Sequence, residues 1–133
     1  MYMLDTNTCI YLIKKKTENI LNKLKQHKEN GIYISSITLA ELEFGIANAD
    51  SQYKERNRIA LMSFQTIIDV KSFDTNAAIE YGLIKKELKE KNSLIGAFDM
   101  LIAAQAKSLD MVLVTNNIKE FERINNLKLE DWV

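Results

Sequence analysis

Three short apolar runs, each stopped by a cluster of small polar residues, constrain this chain more than any other feature. Met1 to Leu4 runs into Asp5-Thr6-Asn7, Ile32 to Ser35 leads to Thr38, and Met111 to Val114 ends at Thr115-Asn116-Asn117. Uninterrupted apolar runs mark strands covered on both faces, the signature of a parallel sheet. The segments between them carry helical spacing. Ile10, Leu12 and Ile13 begin one helix; Ile20, Leu21 and Leu24 lie in another over Glu18 to Glu29, ending near Gly31. Further helices are predicted from Thr38 to Asn48, from Gln52 to Thr66 with Ile59, Leu61, Met62 and Phe64 apolar, and from Ala77 to Lys91 on a stripe of Ala78, Tyr81, Ile84 and Leu88. A strand is expected over Ile67 to Phe73, helices over Asp99 to Ser108 and Lys119 to Ile124, and a final segment ending in Asp131-Trp132-Val133. Strands alternating with helices predict an open α/β sandwich with a central parallel sheet flanked by helices.

The chain has 133 residues, no proline and no linker-like or repeated tract, so a single domain over residues 1–133 is expected. The longest uncharged run, Asn30 to Ala40, falls well short of the roughly 18 residues a membrane span needs. Asp5 interrupts the N-terminal apolar stretch, against a secretory signal, and a cytoplasmic location is expected. One cysteine, Cys9, and one histidine, His27, exclude an internal disulfide and a Cys/His zinc site, so any metal must be held by carboxylates. Eighteen basic residues balance 18 acidic ones, so the global charge of a typical nucleic-acid binder is absent.

In open α/β sheets ligands bind beyond the carboxyl ends of the strands, and there the acids gather. Asp5 ends the first strand, Glu41 lies early in the helix after the second, and Glu120 follows the Thr115-Asn117 cluster. Asp99 is the odd one, because Ile102, Ala103 and Ala106 continue its side of an otherwise apolar helix, and a buried carboxylate needs a partner. Each acid also has a plain explanation. Asp5 caps a helix, Glu41 completes a capping box with Thr38, Asp99 favours a helix dipole, and Glu120 is a solvated side chain. None of these explains why four acids converge without a lysine or arginine placed among them. Such a cluster calls for a cation, and all-oxygen coordination suits Mg2+ or Mn2+. The matching chemistry is phosphodiester hydrolysis.

These residues resemble the PIN-domain ribonucleases, and within them the VapC toxins of bacterial toxin-antitoxin pairs. The resemblance lies in Met3-Leu4-Asp5-Thr6-Asn7, in Ser35 to Leu42 with Gly45, in Gly96 with Phe98 to Ala106, and in Val114 to Phe121. The four blocks occur in family order and span the chain. The resemblance implies a PIN-like α/β/α fold and a magnesium-dependent endoribonuclease toxin, with Asp5 and Asp99 as direct metal ligands and Glu41 and Glu120 completing the catalytic acids. Glu120 stands where many members carry aspartate, which favours a water-bridged role. Thr115 and Asn117 would orient the acids, and Thr6 and Asn7 would fix the turn that aims Asp5. The resemblance further implies a VapB-like antitoxin, a homodimer and an RNA substrate. It extends to a branch with Phe98-Asp99, Glu120 to Arg123 and Glu130-Asp131-Trp132, associated with cleavage in the anticodon region of initiator tRNA.

Two other readings fit part of the pattern. A strand-end-aspartate phosphotransfer enzyme would show Asp-x-Asp where Asp5-Thr6-Asn7 stands, or a lysine at Thr115-Asn117; a non-catalytic PIN-like RNA- or protein-binding module would be expected to lose acids. Elsewhere, His27 is expected to be exposed, Cys9 to be a small core residue and Trp132 to anchor the tail. Lys14-Lys15-Lys16 and Lys85, Lys86, Lys89 and Lys91 are solvated faces that could reach phosphates at the rim of the site.

Overall fold

The computed structural model describes residues 1–14 and 17–133, so Lys15 and Lys16 of the lysine run lie outside the described residues. Its centre is an all-parallel five-stranded sheet in the order β3-β2-β1-β4-β5, built from β1 (Tyr2–Leu4), β2 (Ile32–Ser35), β3 (Asp69–Lys71), β4 (Val112–Val114) and β5 (Leu129–Glu130). Leu4 pairs with Ile34 on one side and Val114 on the other, so the first, second and fourth strands end level with one another.

Alternation along the strands splits the core into two layers. Met3 and Leu113 face the layer formed by α5 (Thr75–Glu90), α6 (Ala97–Ser108) and α7 (Ile118–Phe121), where Ile84, Leu88, Ile102, Ala103 and Phe121 are buried. Leu4, Ile34 and Val114 face the other layer, where α1 (Thr6–Lys14), α2 (Glu18–His27), α3 (Ser36–Ala47) and α4 (Ser51–Gln65) bury Cys9, Leu12, Ile20, Ile46, Leu61 and Phe64. The expected α/β sandwich is therefore observed.

Several local expectations shift. The third strand is shorter than the expected Ile67 to Phe73, because it lies at the sheet edge and only Asp69–Lys71 find a partner. The tail adds β5, whose two residues are too few to show a period. On α5 the buried stripe begins at Ala77 rather than Ala78, which is exposed. Ile59 and Met62 of α4 are also exposed, leaving Leu61 and Phe64 to pack. Between α2 and β2, Lys28–Asn30 form a 3-10 turn closed by Gly31 at φ +83°, where a Cβ would stand 2.9 Å from the Tyr33 ring. Glycine is needed there on both counts.

His27 departs from the expectation of an exposed side chain. It is partly buried, stacked on Trp132 with ring centroids 5.2 Å apart and beside Tyr2 at 4.6 Å. Trp132 is buried as expected; its indole N–H donates to Glu130 Oε2 at 2.7 Å, and its carbonyl accepts from Asn19 at 2.9 Å. Cys9 is fully buried, and burial pushes its thiol pKa well up, so it acts as a core residue. Among the described residues no helix is long and apolar enough to cross a membrane.

Candidate active site

The level ends of β1, β2 and β4 bring the predicted acids to one edge. Asp5 directly follows β1 and is buried; its backbone N–H donates to the Val114 carbonyl, which locks it to β4. Asp5 also caps α1, since the Thr8 N–H donates to its Oδ1 at 2.8 Å. The Thr115 hydroxyl hydrogen-bonds to the same carboxylate, while the Thr8 hydroxyl donates to the Val114 carbonyl at 3.2 Å. Thr115 is suited to this, because its hydroxyl accepts from the Asn117 N–H at 2.9 Å and keeps its own proton for Asp5. Burial raises the Asp5 pKa, these hydrogen bonds pull it back, and Asp131 at the end of β5 raises it again.

Glu41 is placed differently from the capping-box expectation. The N-cap of α3 is Ser35, whose hydroxyl accepts from the Ile37 N–H, and Thr38 is buried inside the helix. Glu41 Oε1 instead accepts from the Thr6 hydroxyl at 2.6 Å, with the Thr38 hydroxyl 3.2 Å from that of Thr6. Thr6 thus joins the first helix to the third. Asn7 is exposed in the first turn of α1, whose capping runs through Asp5 and Thr8.

Asp99 lies in the first turn of α6 after the N-cap Gly96, and a Cβ on that glycine would stand 3.7 Å from Asp99 Oδ2. Its neighbours Ile102, Ala103 and Ala106 are buried, as the stripe predicted. Burial, then the charges of Asp5, Glu120 and Glu41 in that order, raise its pKa to about 6. Glu120 sits on α7, where its Oε2 accepts from the Asn117 side-chain amide. Asp5, Glu41 and Glu120 therefore all lie within electrostatic reach of Asp99, which no capping explanation requires.

They do not form a closed cage. Among the described residues no three His, Cys, Asp or Glu side chains stand together closely enough to hold an ion by themselves. The Thr6 hydroxyl donates to Glu41 Oε1 and the Asn117 amide to Glu120 Oε2, so neither carboxylate is wholly free for an ion. This suits Mg2+, which keeps several waters and takes only one or two carboxylates from a protein. Thr8 was not singled out from the sequence, and Thr38 was read only as a helix cap. The Asp-x-x-Thr spacing of a capped first turn could have marked Thr8, but no local pattern announces that Thr38 meets Thr6.

A parallel sheet of this order with acids at its carboxyl edge defines a PIN domain, and the PIN-domain family model matches residues 2–127. Ribonuclease VapC2 of Rickettsia felis is 44% identical over 133 residues, covering 99% of this chain and 98% of that protein. The tRNA(fMet)-specific endonuclease VapC of Salmonella typhimurium is 44% identical over 131 residues, covering 98% and 97%. The crystal structure of VapBC2 from Rickettsia felis bound to a DNA fragment from their promoter superimposes with a TM-score of 0.94 at 42% identity, covering 99% of this chain and 98% of that one. The chain belongs to the VapC ribonucleases, the PIN-domain toxins of VapBC toxin-antitoxin systems. The phosphotransfer and non-catalytic alternatives give way to that membership.

Proposed function

We propose that this ribonuclease is a Mg2+-dependent endonuclease, with Mn2+ as a substitute, which cuts the anticodon region of initiator tRNA. The observation that carries the metal is Asp99 at one strand edge with Asp5, Glu120 and Glu41, its pKa raised first by burial and then by the charges of those three carboxylates, a repulsion that a bound cation relieves. Asp5 and Asp99 would hold the ion; when bound, it supplies charge for the phosphoryl oxygens and acidifies a water. Glu41, with Oε1 taken by Thr6, keeps Oε2 to orient a water and accept its proton. Thr115 and Thr8 hold the Asp5 carboxylate in a single orientation. The water oxygen would bond to phosphorus while the bridging ester oxygen leaves, taking a proton from solvent as Glu41 later returns its own to solvent.

The substrate assignment rests on two full-length relatives named tRNA(fMet)-specific endonuclease, 44% and 40% identical. A loop also suits the site, because splayed single-stranded nucleotides expose a phosphodiester that duplex geometry shields. The expected partner is a VapB-like antitoxin, since similar chains were solved as VapBC assemblies. Its tail would place a basic side chain among Asp5, Glu41 and Asp99. A homodimer completes the reading, supported by exposed Ile79 and Leu83 one turn apart on α5. Mapping new 5′ ends on purified tRNAs incubated with the protein and Mg2+ tests the substrate. Cuts confined to messenger RNA, with every tRNA whole, would overturn the tRNA assignment and leave the nuclease standing.

A further inference from the structure

The segment after β5 is anchored by Trp132 and runs beside the acidic edge. β5 is a two-residue strand at the border of the sheet, and so short a piece stays ordered only where something ties it down. Trp132, two residues further on, is 1% exposed. Its ring stacks on His27, 12° from parallel, and packs on Tyr2 with centroids 5.1 Å apart, which joins it to the end of α2 and the start of β1. His27 Nδ1 is buried there with no hydrogen-bond partner among the described residues, a cost that the ring packing has to offset. The Trp132 carbonyl accepts from the Asn19 amide, and the indole N–H donates to Glu130 Oε2 at 2.7 Å. The ring thus reaches back to hold the last residue of β5.

Glu130 meets the catalytic edge with its backbone. Its carbonyl accepts from the Thr115 N–H at 2.9 Å, and the Thr115 hydroxyl bonds the Asp5 carboxylate. Asp131, between Glu130 and Trp132, is near enough for its charge to act on Asp5. One residue therefore carries the indole on its side chain and Thr115 on its main chain, so a displacement at either end is passed to the other. We propose that Trp132 is a positioning residue for the nuclease site: by fixing Glu130 it holds Thr115, and through Thr115 the Asp5 carboxylate, in place. Trp132 does so without touching substrate. The proposal rests on the reading of Asp5 as part of the nuclease site, and its test has an arm that needs neither RNA nor metal.

That arm follows the NMR shift of the Asp5 carboxyl carbon in the metal-free protein. Thr115→Val, which removes the hydroxyl and keeps the backbone N–H, gives the shift of an Asp5 that has lost this bond. Trp132→Phe keeps a ring against His27 and Tyr2 but loses the indole donor, and Glu130→Leu loses the acceptor. Both should move the Asp5 shift toward the Thr115→Val value, whereas Glu130→Gln, which still accepts from the indole, should keep the parent value. In a Thr115→Val background neither substitution should move it further, because the path to Asp5 is already cut. Cleavage of initiator tRNA with Mg2+ should fall about tenfold in kcat for Trp132→Phe and Glu130→Leu, with KM within about twofold of the parent. Should Trp132→Phe misfold, the pair Glu130→Leu and Glu130→Gln decides. An unchanged Asp5 shift in the folded variants would overturn the proposal. So would a shift that moves equally with and without the Thr115 hydroxyl, which would leave Trp132 a stability residue alone. The expected shifts, with no Mg2+-dependent cleavage by the unsubstituted chain, would support the positioning role and overturn only the proposed activity.

Discussion

Asp99 carries the sharpest electrostatic signature in the molecule, and its consequences can be worked out at the level of the side chain. Its pKa in the fold, about 6, lies above the ordinary 3.8, so between those values the folded state binds more protons than the unfolded one. The penalty is therefore complete above pH 6 and relieved as pH falls toward 4. Metal-free protein should gain stability on mild acidification from this group, on the order of 1 kcal/mol after screening of a half-buried carboxylate. Asp99→Asn should remove that gain and raise the melting temperature near pH 7, which thermal scans across pH 4–8 without metal would check. Thr6→Val should leave the fold intact while freeing Glu41, lowering cleavage about 10- to 100-fold. A Thr6→Ser variant with near-parent activity would confirm that the hydroxyl, rather than the side-chain volume, matters. The four acids could be singled out from the sequence because Asp5 ends a strand, Glu41 and Glu120 lie a few residues beyond strand ends, and Asp99 stands on an apolar helix face. Their partners could not. Thr6 meeting Glu41, and His27 stacking on Trp132, join residues far apart in the chain, and no local spacing encodes such contacts.

Helices and strands carry these side chains into place, and the weak joints between them are identifiable. Gln105 is buried on α6, and its amide donates to the carbonyls of Lys71 and Ser72 at 3.0 and 3.1 Å, tying the Asp99 helix to the end of β3. Gln105→Leu should cost about 1–2 kcal/mol by leaving those carbonyls without their donor. Denaturant unfolding would measure it, and a Gln105→Leu protein as stable as the parent would show that the tie contributes little. Gly31→Ala should destabilise by about 1–3 kcal/mol, since both its positive φ and the Tyr33 ring oppose a Cβ. The central strands were readable because burial on both faces leaves an uninterrupted apolar run. At the edges the third strand was expected but its bounds were not, and β5 was missed, since both are delimited by pairing, and pairing is a tertiary fact. The N-cap of α3 was misplaced for a related reason: Ser35, Ser36 and Thr38 all suit a cap by residue type, and the end of β2 decides among them.

For the whole molecule, parallel register is what turns four scattered acids into one site. Asp5, Glu41 and Thr115 follow strands that end level, and α6 and α7 bring Asp99 and Glu120 to the same edge from the other layer. The central claim is that this edge holds a divalent ion that cleaves RNA. It is tested most directly by end-mapped cleavage of purified initiator tRNA, comparing the unsubstituted chain with Asp5→Asn and Asp99→Asn, each with Mg2+ and with EDTA. The account predicts discrete new 5′ ends in the anticodon region with the unsubstituted chain and Mg2+, and none with EDTA or either variant. Cleavage that survives EDTA, or persists at the parent rate in Asp5→Asn or Asp99→Asn, would contradict it.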